Sequence, residues 1–158
     1  TATRYGPFNL LLWDGRDLAF ASNQPRPHHA PVAPGIHAMS NGAFDAPWPK
    51  STFATRALEA WINACPAGGT DAGETPDIEP LFAALADRGI APDADLPDTG
   101  VGIELERTLS PPFVLDERYG TRCSSIVLGG EDGILFAERR FNSAGEVTGE
   151  ASTVLPVD

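Results

Sequence analysis

One methionine, two cysteines and two tyrosines in 158 residues are the first shortages of this sequence. Cys65 and Cys123 are too few and too far apart for a disulfide scaffold; at most one bridge is open to them, and reduced thiols in a cytoplasmic setting fit better. Cations are scarce too: eleven Lys and Arg stand against twenty-two Asp and Glu, a formal net charge of −11. So acidic a surface repels phosphate backbones and anionic lipid at long range, which argues against nucleic acid as a partner. No apolar run approaches the roughly 20 residues that a membrane-crossing helix needs, so no membrane span is expected. No internal repeat is present.

What remains is the composition of an ordinary globular chain: 42% of residues are hydrophobic, enough to bury one core, so residues 1–158 are expected to form one domain or part of one. Residues 8–13 and 18–22 are apolar runs joined by Asp14-Gly15-Arg16-Asp17, a hairpin turn in which Gly15 takes positive φ cheaply. Pro25, Pro27, Pro31 and Pro34 predict an irregular surface connection over 23–34, with the adjacent His28 and His29 as solvent-exposed loop residues rather than a preformed metal site. Residues 50–65 form a helix with Phe53, Ala57, Leu58, Trp61, Ile62 and Cys65 on its buried side, packed most simply on a sheet, and Pro66 stops it. A Gly- and Thr-rich linker over 66–76 leads to a second helix over 78–88, capped by Asp77 and ended by Gly89. Asp93, Asp95 and Asp98 superficially suggest a calcium loop but lack its glycine and closing glutamate, so they are solvated. Residues 103–109 make a short helix. Residues 122–128, 133–141 and 147–155 are strands of an antiparallel meander separated by turn-rich segments. Strands, then helices, then strands, without a βαβ alternation, define an α+β class with antiparallel sheets and packed helices.

The central stretch is 36–50. Residues 36–39 are apolar enough for a short buried strand, Ser40-Asn41-Gly42 ends it, and Pro47 and Pro49 stiffen the segment holding Trp48. A proline-braced turn with Trp48 plugging the core and a rigidly placed site are both consistent with this pattern.

Several spaced motifs carry a resemblance. They are Tyr5-Gly6-Pro7-Phe8-Asn9-Leu10-Leu11, Pro34-Gly35, Ser40-Asn41-Gly42 with Asp45 and Pro47-Trp48-Pro49-Lys50, Tyr119-Gly120-Thr121-Arg122, and Glu138-Arg139. In this order they resemble the NRDE family, also called the transport and Golgi organization protein 2 family, across nearly the whole chain. Family members begin with Met-Cys and carry Asn-Arg-Asp-Glu and Gly-Gly-Thr-Trp-Leu-Gly motifs ahead of the point where this sequence starts. The resemblance therefore implies the C-terminal portion of such a protein, with the missing N-terminal segment of the same domain as its first partner.

It also implies a fold, part of an N-terminal nucleophile hydrolase-like four-layer αββα sandwich, and a chemistry, hydrolysis of a C–N (amide) bond in a small molecule. In that class an N-terminal Cys, Ser or Thr attacks an amide carbonyl with its own α-amino group as base. The family's Cys lies outside this chain, which speaks against Thr1 in that role and makes the chain alone inactive. An oxyanion needs fixed donors near 3 Å, and Asn41 on its turn is the candidate. A further similarity to choloylglycine hydrolases puts a basic residue on a later strand, here Arg122; an ordinary ion pair of Arg122 with Glu138 is the competing expectation. The alternative function is non-enzymatic carriage of haem or acyl lipid, which members of the resembling family have been linked to. Its candidate ligands are Cys65, in a Cys-Pro dipeptide, and His37, which alternation would place on one strand face with Met39.

Overall fold

The computed structural model describes residues 4–65, 76–130 and 133–156; Thr1, Pro66, most of the 66–76 linker and the 131–132 turn lie outside them. The chain divides into two compact units, Thr1–Pro47 and Trp48–Asp158.

The first unit is a three-stranded antiparallel sheet, β1 (Asn9–Trp13), β2 (Leu18–Ser22) and β3 (His28–Pro31), in the order β1-β2-β3. The β1–β2 turn forms because Asp14 Oδ1 accepts the Arg16 and Asp17 amides at 2.9 and 2.8 Å while Gly15 turns at φ 97°. Those backbone donors hold the Asp14 carboxyl below its usual range. β3 corrects the expected irregular connection. As an edge strand it pairs on one side only, against β2 from Ala19↔Pro31 to Ser22↔His28, and an edge tolerates a residue without an N–H such as Pro31. The register aligns Asn9, Ser22 and His28 in one row across the sheet. Residues 36–39 are not a strand: Ile36 and Met39 are exposed, and the segment is bonded to Asp45 instead of to a neighbouring strand.

The second unit holds α1 (Pro49–Ala64), α2 (Glu79–Leu85), a 3-10 turn (Asp93–Asp95), α3 (Ile103–Leu109) and the meander β4 (Cys123–Gly130), β5 (Gly133–Phe141) and β6 (Val147–Leu155). Helices and two antiparallel three-stranded sheets make this an α+β protein. β5 shows the period of a half-covered strand: Gly133, Leu135, Ala137 and Phe141 are buried and Arg140 is exposed. α2 covers that face, with Phe82 packed on Ile126 and Ala137 and ringed by Ile78, Leu81, Leu85 and Leu128. Asp77 Oδ1 accepts the Glu79 amide at 3.0 Å. α2 stops three residues earlier than its pattern suggests because Asp87 is diverted, its carbonyl taking the Phe113 amide at 2.9 Å and its Oδ1 the Gly89 amide.

α1 packs on α2 rather than directly on a sheet. Its covered side also differs: Ser51 is buried and Ala54, Thr55, Leu58 and Trp61 are half-buried, whereas Phe53 and Ile62 are 41% and 47% exposed. Polar residues hid this stripe; Thr55 is admitted because its hydroxyl bonds back to the Ser51 carbonyl at 2.9 Å. The Asp-rich loop is held by Arg107, which grips Asp93 through Nε and Nη2 at 2.8 and 2.6 Å, and the described residues contain no metal-binding cluster. No described helix is long and apolar enough to cross a membrane.

Arg139 lies on the covered face of β5. It bonds Glu79 of α2 and Glu150 of β6, and its guanidinium stacks on Phe82 at 4.3 Å. With the Arg139 side chain only 20% exposed, Arg139→Ala is expected to cost about 1 to 2 kcal/mol by losing the stacking and two charged hydrogen bonds. Urea unfolding reads this directly, and an unchanged midpoint would contradict it.

Candidate functional site

The groove face of the first sheet is set by strand alternation. Asn9, Phe20, Ser22, His28 and Ala30 share one face, and the segment 39–44 closes over it to leave a groove of about 1040 Å³. Asn41 is on the lining, at the tip of its turn. The turn is clamped from β1: the Asn9 carboxamide donates to the carbonyls of Ser40 at 2.7 Å and Gly42 at 3.2 Å, one on each side of Asn41. The Asn41 side chain has no hydrogen-bond partner among the described residues. Its backbone is fixed and its carboxamide is free, the condition for a polar group that addresses a ligand.

A second brace sits behind it. His37 Nδ1 meets Asp45 Oδ2 at 2.7 Å, His37 Nε2 meets the Ala33 carbonyl at 2.9 Å, and Asp45 Oδ1 accepts the Ala38 amide at 2.8 Å. Asp45 adopts φ 58°, a positive value that its short polar side chain tolerates better than most. A carbonyl and a carboxylate both accept, so both His37 nitrogens donate and the ring is an imidazolium. The Asp45 bond, then the Ala33 bond, raise the His37 pKa. The Ala38 amide, then His37, lower that of Asp45. The sign follows for each group. The His37 contribution is complete below the ordinary imidazole value of about 6.5 and is lost as pH rises through its raised value; that of Asp45 is complete above about 3.9 and is lost as pH falls through its lowered value. A proton NMR titration should show the His37 imidazole with a midpoint above 6.5, returning toward 6.5 in Asp45→Asn. A midpoint that ignores the substitution would contradict the pair.

Three rings line the groove in series, Phe44 4.7 Å from Phe20 and Phe20 5.7 Å from His28, and His37 stacks on Phe44 at 5.4 Å from behind the lining. The polar groups are thus few and set in an apolar wall.

The anticipated residues divide between the units. Asn41 and His37 belong to the first, and His37 has no ring nitrogen left to ligate a metal while Asp45 and Ala33 hold it. Arg122 and Cys65 belong to the second. Arg122 immediately precedes β4; its carbonyl accepts the Phe141 amide at 2.9 Å and its exposed side chain pairs with no described residue. The expected Arg122–Glu138 ion pair is absent among the described residues, and Glu138 instead faces Ser125 in the β4–β5 register, 3.4 Å from its hydroxyl. Cys65 is the half-buried cap of α1 and a free thiol. Asn9 and His28 are site residues that periodicity missed, Asn9 because its role is a contact 31 to 33 residues away, His28 because prolines concealed its strand.

A family model described as Transport and Golgi organisation 2 matches residues 1–143, which include the groove, Cys65, Arg122 and Arg139. The Transport and Golgi organization protein 2 homolog of Bos taurus is 25% identical over 162 aligned residues, covering 94% of this chain and 56% of the bovine protein. The chain spans just over half the length of that curated relative.

Proposed function

The chain belongs to the Transport and Golgi organisation 2 family, and on that footing we propose that its first unit is the ligand groove of an amide (C–N) hydrolase of the N-terminal nucleophile type. The observation that carries the reading is the clamped turn with an unpartnered Asn41 carboxamide at the groove. In this role Asn41 donates to the carbonyl oxygen of a small-molecule amide, most strongly as it becomes an oxyanion. The nucleophile is an N-terminal Cys contributed from outside residues 1–158, and Arg122 is the second basic group. Antiparallel three-stranded sheets and packed helices are the element types that the αββα sandwich class is built from, which supports this reading. The test is turnover of amide substrates by the full-length protein: Asn41→Ala should lose it while staying folded, and wild-type turnover in that variant would remove Asn41 from the mechanism.

A carrier of acyl ligands is the second reading, favoured by the Phe8, Phe20, Met39 and Phe44 wall of the groove. Its haem form, with Cys65 and His37 as ligands, fits this geometry poorly because both His37 nitrogens are engaged. The carrier reading predicts acyl-ligand binding without turnover.

A further inference from the structure

We propose that the groove selects secondary amides, R–CO–NH–R′, over esters of the same shape, with His28 Nε2 accepting the amide N–H while Asn41 donates to the carbonyl. This rests on the ligand-groove reading above and adds to it a second recognition residue and a substrate class.

The tautomer of His28 follows from its partner. Nδ1 lies 3.0 Å from the Arg26 carbonyl, an oxygen that only accepts, so Nδ1 carries the proton and Nε2 of the neutral ring is an acceptor. Nε2 has no partner among the described residues. The ring is placed beside Phe20 in the groove lining. The other two imidazoles do not offer this: His29 falls on the opposite face of β3 by alternation, and His37 donates from both nitrogens. A free acceptor and a free carboxamide donor therefore face one groove.

The two groups border one groove whose backbone frame is long enough for an amide. The row Asn9, Ser22, His28 crosses two strand intervals, about 10 Å at an interstrand spacing of about 4.8 Å. Asn41 stands over the Asn9 end of that row because Asn9 holds the carbonyls on both sides of it. A trans amide points its C=O and N–H in opposite directions. Donor to oxygen, oxygen to nitrogen within the amide, and nitrogen to acceptor together span about 8 Å. Beside that row, Phe20 and Phe44 give the acyl part an apolar seat. An ester keeps the carbonyl and lacks the N–H, so it would leave His28 facing another acceptor.

Calorimetric titration of the chain with N-butyl octanamide and butyl octanoate tests the assignment. The wild type is expected to bind the amide about fivefold more tightly, the factor of one neutral hydrogen bond. His28→Ala should bring the two affinities together, and His28→Gln, which restores an acceptor, should keep part of the preference. Asn41→Ala should weaken both probes alike, since both carry the carbonyl. A preference that survives His28→Ala while Asn41→Ala still weakens both probes overturns the role of His28 and leaves the groove reading standing; so does a preference that disappears instead with Gln24→Ala or Ser40→Ala, two further side-chain acceptors of the lining. Failure of either probe to bind, or indifference of both to Asn41→Ala, overturns the groove reading and this inference with it.

Discussion

Replacing Asn41 by Ala in the full-length protein is expected to lower kcat for amide hydrolysis by about 100-fold, with a smaller change in KM. An oxyanion-type carboxamide donor is worth about 10²- to 10³-fold in enzymes that bury it. The lower end applies because Asn41 is exposed on the groove rim, where water competes for the same oxygen. kcat bears the loss since the bond strengthens as charge develops on the oxygen, whereas the ground-state carbonyl gains less from it. Stability should hardly move, within about 0.5 kcal/mol, because the Asn41 side chain makes no hydrogen bond to the described residues. Asn9→Ala should behave differently: both clamping bonds are lost, so turnover and stability fall together. Steady-state kinetics beside urea melts of the two variants separates a donor from a clamp. Parallel losses of stability in both would contradict the division of labour.

Phe113→Ala carries the largest expected effect on stability, about 3 to 5 kcal/mol, from lost burial and the cavity left behind. Phe113 is 1% exposed. It meets Phe141 edge-on at 4.8 Å and lies under the Arg88 guanidinium at 4.7 Å, and Arg88 also donates to the Gly145 carbonyl at 3.0 Å. One ring thereby joins the segment after α3, the end of β5 and the β5–β6 turn. Set against a typical 5 to 15 kcal/mol for a domain, the loss should move the denaturant midpoint far down with little change in slope. A cost under about 1 kcal/mol would mean that the ring is not a keystone of the second unit.

The elements that the sequence revealed were those whose information is local. The β1–β2 hairpin was marked by Asp14-Gly15-Arg16-Asp17 and the meander by the turn-rich segments between its strands; these signals act over a few residues, where backbone preference decides. The turn carrying Asn41 was legible for the same reason. Where distant groups set the outcome, legibility failed. Residues 36–39 read as a buried strand, yet Asp45 takes the Ala38 amide and the His37 ring and makes them part of a braced loop. β3 was hidden by prolines that an edge position tolerates, and with it the placement of His28. Nothing local to Arg139 announces its cover, because that cover is Glu79 of α2, 60 residues away in sequence, and Phe82 of the same helix. The exposed Arg122 remains what the resemblance made it, a basic residue whose role has to come from kinetics.

The central claim is that the Asn41 carboxamide donates to a ligand carbonyl in the groove, and vibrational spectroscopy reads that bond directly. Isotope-edited infrared difference spectra of N-butyl octanamide, carrying a carbon-13 carbonyl and bound to the chain, should show the carbonyl stretch at a lower frequency in the wild type than in Asn41→Ala. His28→Ala should leave most of that difference in place. An identical carbonyl frequency in the wild type and Asn41→Ala, with the ligand bound in both, would contradict the claim.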